Sequence, residues 1–323
     1  MLTGTRAKAR TFIVSAGQRI VSLLPGATEI ICALGARERL VGRSHECDVP
    51  TDVAPLTVCS RPRADLQGNS VQIDDKVRDL VRQGLSVFEV LDDALKQCEP
   101  DLIVTQMQCE VCAVSYAEVE AAVAHWTGTK PQILSLEPNA LRDIFSDTQN
   151  IADALELASA GRKVRADMRE RMRAIDGEAN GIPGAPTVVC LEWIEPLMTA
   201  GNWVPELVDF AGGDNRLGKA GEHSPWIEWQ QVLDEDPDVL VIMPCGFDLA
   251  RTRNEAAQLF SRPGYAQLSA VRSDQVYVVD GHHFFNRPGP RLVESLEILA
   301  EIFHPNRFDF GHNKKAWARL RAD

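Results

Sequence analysis

The stretch RIVSLLPGATEIICALGARERLVGRSHECDVP, residues 19–50, decides the fold. Its opening apolar run, 20–24, reads as a buried strand. A Pro-Gly turn follows, then a helix from about Thr28 to Leu34, then a second strand over 40–44. In such a unit the helix covers one face of a parallel sheet, so the strands are continuously apolar rather than alternating.

The same grammar recurs near the other end. PWIEWQQVLDEDPDVLVIMPCGFD at 225–248 and VYVVDGHHFFNRPGPRLVESLEILAEIFHP at 276–305 each combine an apolar strand, a polar turn and a helix. Between these ends, strands are expected near 56–59, 101–105 and 132–136, with a helix over 116–126. Residues 61–75, RPRADLQGNSVQIDD, are polar and turn-rich and read as a loop draped over a cleft, followed by short helices at 76–84 and 91–97. From 139 to 176 the chain becomes rich in Ala, Leu, Glu and Arg without proline, which predicts an inter-lobe helix. The turn-rich GEANGIPGAP at 177–186 then opens a second lobe, with strands over 187–192, 239–243 and 275–279 and helices over 203–211, 226–234, 254–260 and 290–303. The expected fold class is α/β: two Rossmann-like lobes with parallel sheets, residues 1–138 and 177–323, joined by a long helix at 139–176.

Loops leaving the strand ends of such sheets carry the chemistry, because the strands hold them rigidly. The unusual residues lie in those loops: Ser44-His45-Glu46-Cys47, the run 106–112, Glu192-Trp193, Pro244-Cys245-Gly246 and Gly281-His282-His283-Phe284-Phe285.

The LLPGATEI turn-helix, the PWIEWQQVL…DPDVLVI segment and the closing RPGPRLVESLEILAEIFHP, taken in order, resemble the cobalamin-binding branch of the helical-backbone, class III substrate-binding proteins of ABC importers. The resemblance runs from about Arg19 to Pro305. It implies two α/β lobes, a ligand held between them without chemistry performed on it, and an importer permease as partner. In that family acidic surface residues dock onto permease arginines, but no position of this chain is matched to one of them.

Composition narrows the alternatives. The 323 residues suffice for two cores, and 45% apolar with 25% charged residues is ordinary for a globular protein. With 46 acidic against 34 basic residues the net charge is −12, which argues against nucleic acid and anionic membranes as partners. No stretch approaches the roughly 18 apolar residues of a membrane span. Arg6, Lys8 and Arg10 supply a basic start, but Thr11 to Gly17 falls short of the apolar core of about 7 to 15 residues that an export signal needs. The sequence therefore predicts a cytoplasmic location, with the periplasm as the alternative that the resemblance implies.

Eight cysteines in a chain of this size, without an export signal, point to buried thiols or metal ligation rather than a disulfide framework. Cys32 and Cys190 fall within a helix face and a strand and read as small core residues. Cys47, Cys59, Cys109 and Cys112 all follow strand ends of the first lobe. If those strands are parallel neighbours, the four thiols converge on the cleft edge, where they suit zinc or an iron–sulfur cluster. Reduced thiols on a polar rim, or a redox-active CxxC, fit the same spacing.

The second constellation is aromatic. Trp193, Trp203, Trp226 and Trp229, with Phe284 and Phe285, fall at helix starts or strand ends of the second lobe. Flat walls of this kind suit a large planar ligand such as a corrin or another tetrapyrrole. Trp226 and Trp229 are three apart on the expected helix and so lie on one face; the alternative is that one of them covers the sheet as core. His45, His223, His282 and His283 stand in loops, where an imidazole ligates a tetrapyrrole metal, bonds amides on its rim, or merely caps the surface. Glu46 shares the loop of His45. Arg287 and Arg291 flank a Pro-Gly-Pro turn and either position an anionic group or pair with acidic surface. Glu29 sits in the first turns of its helix, where the dipole already favours a carboxylate.

No phosphate-binding GxxxxGK[ST], GxGxxG, HExxH or GxSxG is present. The leading expectation is non-catalytic binding of a tetrapyrrole-like molecule, cobalamin or a corrinoid, through His45, Glu46, Trp193, Trp226, His282, His283, Phe284 and Arg287. The rival is a cytoplasmic metalloprotein or redox protein built on Cys47, Cys59, Cys109 and Cys112.

Overall fold

The computed structural model describes residues 17–107, 114, 116–124, 126 and 130–321. Strands β1 (Ile20–Ser22), β2 (Leu40–Arg43), β3 (Thr57–Val58), β6 (Leu102–Gln106) and β7 (Gln132–Leu136) form one sheet in the order β3-β2-β1-β6-β7, with every pair parallel. A separate antiparallel pair, β4 (Ser60–Pro62) and β5 (Phe88–Val90), stands beside it.

The pleat sends alternate β6 residues to opposite faces. Leu102 and Val104 pack with Ile30 and Ile31 of α1 (Pro25–Ala33), whereas Ile103 packs with Phe88, Leu95 and Val119 on the other side. α2 (Ser70–Arg82), α3 (Asp92–Gln97) and α4 (Tyr116–Ala124) complete this lobe. α2 begins inside the stretch expected as loop. Asn69 caps it by accepting from the Gln72 N–H at 2.9 Å, while Gln72 Oε1 accepts from the Asn69 N–H at 3.1 Å. This reciprocal box supplies partners for two otherwise orphaned N–H groups.

The second sheet runs β10 (Asp214–Asn215), β8 (Thr187–Trp193), β11 (Val239–Ile242), β12 (Val276–Val279), β13 (Trp317–Arg319), with β9 (Met198–Thr199) antiparallel to β8 and β13 antiparallel to β12. Its faces are covered by α7 (Val204–Phe210) and α11 (Leu292–Phe303) on one side. On the other lie α8 (Trp229–Glu235), α9 (Leu249–Ala256) and α10 (Ser269–Arg272).

Two helices cross between the sheets. α5 (Leu141–Ala154) starts against the second lobe, where the Leu141 N–H donates to Glu206, and ends among first-lobe residues such as Ile30 and Leu34. The chain reverses at Glu156, whose φ is +60°. α6 (Ala158–Ala179) returns over 22 residues, its Met168, Met172 and Ile175 entering the second-lobe core. The single helix expected over 139–176 is therefore two, α5 and α6, broken at residues 155–157 and lying side by side. Among the described residues no helix is long and apolar enough to cross a membrane.

Candidate functional site

In both sheets the strand order reverses beside the first strand of the lobe, between β1 and β6 and between β8 and β11. Ligands of open α/β sheets sit outside the carboxyl ends of strands at such points. Here the two ends face each other across a cavity of about 850 Å³. Such a volume lies near the upper end of the roughly 300–1,000 Å³ typical of small-molecule sites.

The wall on the first-lobe side combines apolar residues, Leu66, Phe88 and Ile73, Val77 and Val81 of α2, with the charged Asp65, Asp74, Arg78 and Arg82. Ile73, Val77 and Val81 recur every fourth residue, which aligns them along one helix face. The opposite wall is aromatic, with Trp193, Trp203, Trp226, Phe247 and Phe285. Trp193 meets the Phe247 ring edge-on at 5.3 Å, and Trp203 donates its indole N–H to the Phe285 carbonyl at 2.9 Å. Trp226 remains 54% exposed at the rim. Neutral polar groups, Gln106, Asn202 and Asn286 among them, interrupt these walls.

Among the described residues the lobes touch at two places flanking the cavity. On one side Glu255 of α9 accepts from the Ser70 N–H at 2.8 Å, and Arg251 donates to the Gly68 carbonyl at 2.9 Å. On the other, Arg287 Nη1 donates to Asp48 Oδ1 at 2.5 Å and reaches toward Glu29 Oε1 at 3.7 Å. His282 Nε2 lies 3.2 Å from Asp48 Oδ2, and His283 bridges Asp48 at 3.5 Å and Asp280 at 2.8 Å. Next to this cluster a Cβ added to Gly26 would fall 2.3 Å from the Pro288 carbonyl oxygen, so the two backbones pass at the closest approach glycine allows.

Charges in this seam are strongly perturbed. Burial pushes the Glu29 carboxyl up to about 7 despite Arg291 and Arg287, and neither oxygen accepts a hydrogen bond among the described residues. Burial also works against the Asp48 carboxylate, but hydrogen bonds from His282, His283 and Arg287 outweigh it and hold the group well below the usual range. The Asp280 and Asp48 carboxylates raise His283 to about 9, which keeps it protonated at neutral pH. Burial, aided by Arg43, lowers His45 to about 4, so its imidazole is neutral; its Nδ1 lies 2.9 Å from Ser60 Oγ. Burial raises Glu46 above its ordinary value.

Of the eight residues expected to meet the ligand, the structure places His45, Glu46, Trp193, Trp226, His282 and Arg287 on the cavity wall. Phe284 is not there. It packs in the second-lobe core under the Arg291 guanidinium at 4.5 Å, and its neighbour Phe285 faces the cavity instead. A single wide helical turn over Gly281–Phe285 rotates the two rings relative to an extended loop. His283 stands behind the wall, between Asp48 and Asp280. Trp226 is not part of α8: it bridges Met198 next to the sheet, and the helix begins at Trp229, whose indole N–H donates to the Pro263 carbonyl at 2.8 Å.

The expected zinc or iron–sulfur constellation is not supported. Cys47 is fully buried below the cavity, its sulfur 3.0 Å from Thr28 Oγ1 and 3.2 Å from Ser44 Oγ. Cys59 lies elsewhere, in the apolar cluster with Phe88 and Leu95, its sulfur against Cys98. Cys109 and Cys112 lie outside the described residues. Among the described residues one trio, Asp48, His282 and His283, has metal-ligand spacing. The Arg287 guanidinium already occupies it, with Nη2 2.8 Å from His282 Nε2.

Several wall and seam residues escaped the sequence reading: Asp48, Asn286, Phe247 and the α2 face. For α2 a signal existed, since Asn69 and Gln72 have capping-box spacing and Ile73 and Val77 helical spacing. For Asp48 none did, because its partner Arg287 lies 239 residues away.

Two sheets with facing carboxyl ends, bridged by a long helix and enclosing an aromatic cavity, define a two-lobed substrate-binding protein. The chain belongs to the periplasmic binding protein family, whose model matches residues 20–282. It is 22% identical over 291 residues to the vitamin B12-binding protein of Vibrio parahaemolyticus, covering 88% of this chain and 89% of that protein. An uncharacterised ABC-transporter substrate-binding lipoprotein of Bacillus subtilis is 23% identical over 295 residues, covering 90% and 81%. A periplasmic haem-binding protein of Pseudomonas aeruginosa superposes with a TM-score of 0.70 at 19% identity, over 94% of this chain and 98% of that one. The resemblance to class III substrate-binding proteins therefore holds. The cytoplasmic location does not: the family is periplasmic, and residues 1–16, which bear most of that reading, lie outside the described residues.

Proposed function

We propose that the protein binds a tetrapyrrole, cobalamin or another corrinoid, in the cavity between its lobes and delivers it to the permease of an ABC importer on the outer side of the inner membrane. The observation that carries this reading is the aromatic wall of Trp193, Trp226 and Phe247 facing the Ile73, Val77 and Val81 stripe of α2 across about 850 Å³. Flat rings stack on such walls, and carboxamides at the corrin edge match Gln106, Asn202 and Asn286. The vitamin B12-binding relative supports the corrinoid.

A second reading, haem, is favoured by His45. Its imidazole is neutral, lines the cavity and has Nδ1 engaged by Ser60, which leaves Nε2 for the metal of a porphyrin. Titrating purified protein with hydroxocobalamin, cyanocobalamin and haemin, by absorbance and calorimetry, separates the readings. Saturable binding of one cobalamin per chain at micromolar Kd or tighter is expected. Haemin binding alone, lost in His45→Ala, replaces the corrinoid with haem; no binding of either removes the tetrapyrrole.

A further inference from the structure

Cys59 and Cys98 stand apart from the other described cysteines. Their sulfurs are 3.7 Å apart in van der Waals contact, with Cys59 fully buried and Cys98 nearly so. Cys59 joins β3 to β4, its N–H donating to Arg43 and its carbonyl accepting from Leu91. Cys98 closes the C-terminus of α3. Both sulfurs rest over Gly42 in β2, where an added Cβ would lie 2.8 Å from one and 2.9 Å from the other. A glycine in mid-strand weakens a sheet unless something must approach its backbone. Here the two sulfurs do.

The pair lacks the partners of a metal site. The remaining sulfur contacts are backbone carbonyls, Thr57 at 3.6 Å and Val41 at 3.4 Å, and no third His, Cys or carboxylate joins them among the described residues. Bringing two sulfurs from 3.7 Å to the bond length of about 2.05 Å asks each to move by less than about 1 Å. We propose that Cys59 and Cys98 close into an intramolecular disulfide when the chain folds in a thiol-oxidising compartment, stapling the first-lobe wall of the cavity. The loop so closed, 59–98, contains β5, α3 and the α2 face that meets the ligand.

The chemistry is an exchange with a small-molecule disulfide such as oxidised glutathione. The two protein thiols give up two protons and two electrons as the S–S bond forms, and the oxidant's own S–S bond breaks to two thiols that receive them. Burial, with the neighbouring Cys98, raises the Cys59 thiol far above its ordinary value. Thiolate is the attacking species, so the folded, reduced pair reacts slowly and the bond forms as the chain folds.

Refolding the full chain from denaturant in oxidised and reduced glutathione, followed by alkylation and cleavage on the N-terminal side of aspartate, tests this. Fragments 52–64 and 93–100 each carry one cysteine. The expected result is a linked pair of these fragments, two hydrogens lighter than their sum, abolished by dithiothreitol. Reductant should also lower the Tm of wild type by several degrees and leave a Cys59→Ala/Cys98→Ala variant unchanged. Recovery of both fragments separately and fully alkylated, or of either linked to another cysteine, overturns the proposal. The peptide map uses wild type alone, so it decides the matter even if the double variant does not fold.

Discussion

Arg287 of the second lobe lies between Asp48 and Glu29 of the first, 2.5 Å from one carboxylate and 3.7 Å from the other, with its side chain only 4% exposed. A buried cation so placed holds the lobes in register but is costly to leave unmatched. Removing one partner of a buried ion pair typically costs about 3–5 kcal/mol, because the remaining charge loses its compensation. Arg287→Met should fall at the low end, since Asp48 is partly solvated and Glu29 can take up a proton. Urea titration of both proteins at pH 7 measures the difference. A loss below about 1 kcal/mol would mean that the seam does not bear on folding.

The seam also predicts how stability varies with pH. Glu29 is raised from 4.5 to about 7, so between those values the native state holds a proton that the unfolded state has lost. Stability must then fall as pH rises through this window, by on the order of 3 kcal/mol at full ionisation. Asp147, also raised to about 7 by burial, acts with the same sign. His283, raised to about 9, contributes stability that is complete below pH 6.5 and disappears as pH passes 9. Asp48 works in the opposite direction, since its lowered pKa adds stability that is lost only on acidification below the ordinary carboxylate range. His45, lowered to about 4, opposes the two carboxyls between pH 4 and 6.5, because there the unfolded state binds the proton that the native imidazole lacks. Thermal melts should therefore show Tm declining to pH 9, shallowly up to about pH 6.5 and more steeply above it. Glu29→Gln should flatten the lower half of the decline, and His283→Ala the upper half. A Tm that climbs steadily to pH 9 contradicts this assignment.

The strands were legible because each sheet is buried on both faces, which writes its strands as apolar runs such as Val239–Ile242. The strand-exit loops followed from topology. The seam was not legible, because a pairing such as Asp48 with Arg287 depends on how two independently folded sheets dock. Local rotation defeated the choice between Phe284 and Phe285: one helical turn of unusual width decides which ring faces the cavity, and no periodicity in five residues reports it. The cysteines misled for a related reason. Strand exits place residues on the same edge of a sheet, but not at the same depth, and Cys47 and Cys59 point into the protein rather than the cleft.

Trp226 offers a test that barely touches folding. At 54% exposure its ring contributes little to the core, yet it lines the cavity rim. Trp226→Ala should leave the Tm nearly unchanged and weaken the tetrapyrrole by about 1–2 kcal/mol, roughly tenfold in Kd, because a stacking face is lost. Calorimetry on the two proteins decides; unchanged affinity places the ligand deeper, toward Trp193.

Gly26 reports on lobe closure itself. It sits in the first turn of α1 with ordinary helical geometry, where alanine is normally the better helix residue. The backbone would therefore welcome Gly26→Ala, but its new methyl would lie 2.3 Å from the Pro288 carbonyl oxygen, a contact no rotamer can relieve. The first lobe must back away from the second by about an ångström, which stretches the Arg287 contacts to Asp48 and Glu29. Overpacking of this kind costs about 1–3 kcal/mol. Because the strain is confined to the seam, it should weaken ligand binding along with stability and leave far-ultraviolet circular dichroism unchanged. Gly35→Ala is the comparison. That glycine ends the same helix at a φ of +77° with open space around it, so alanine there strains the backbone without moving the lobes. Destabilisation in both variants, with weakened binding only in Gly26→Ala, separates closure from general loss of stability; equal binding in the two would show that the ligand does not require the lobes to meet at Pro288.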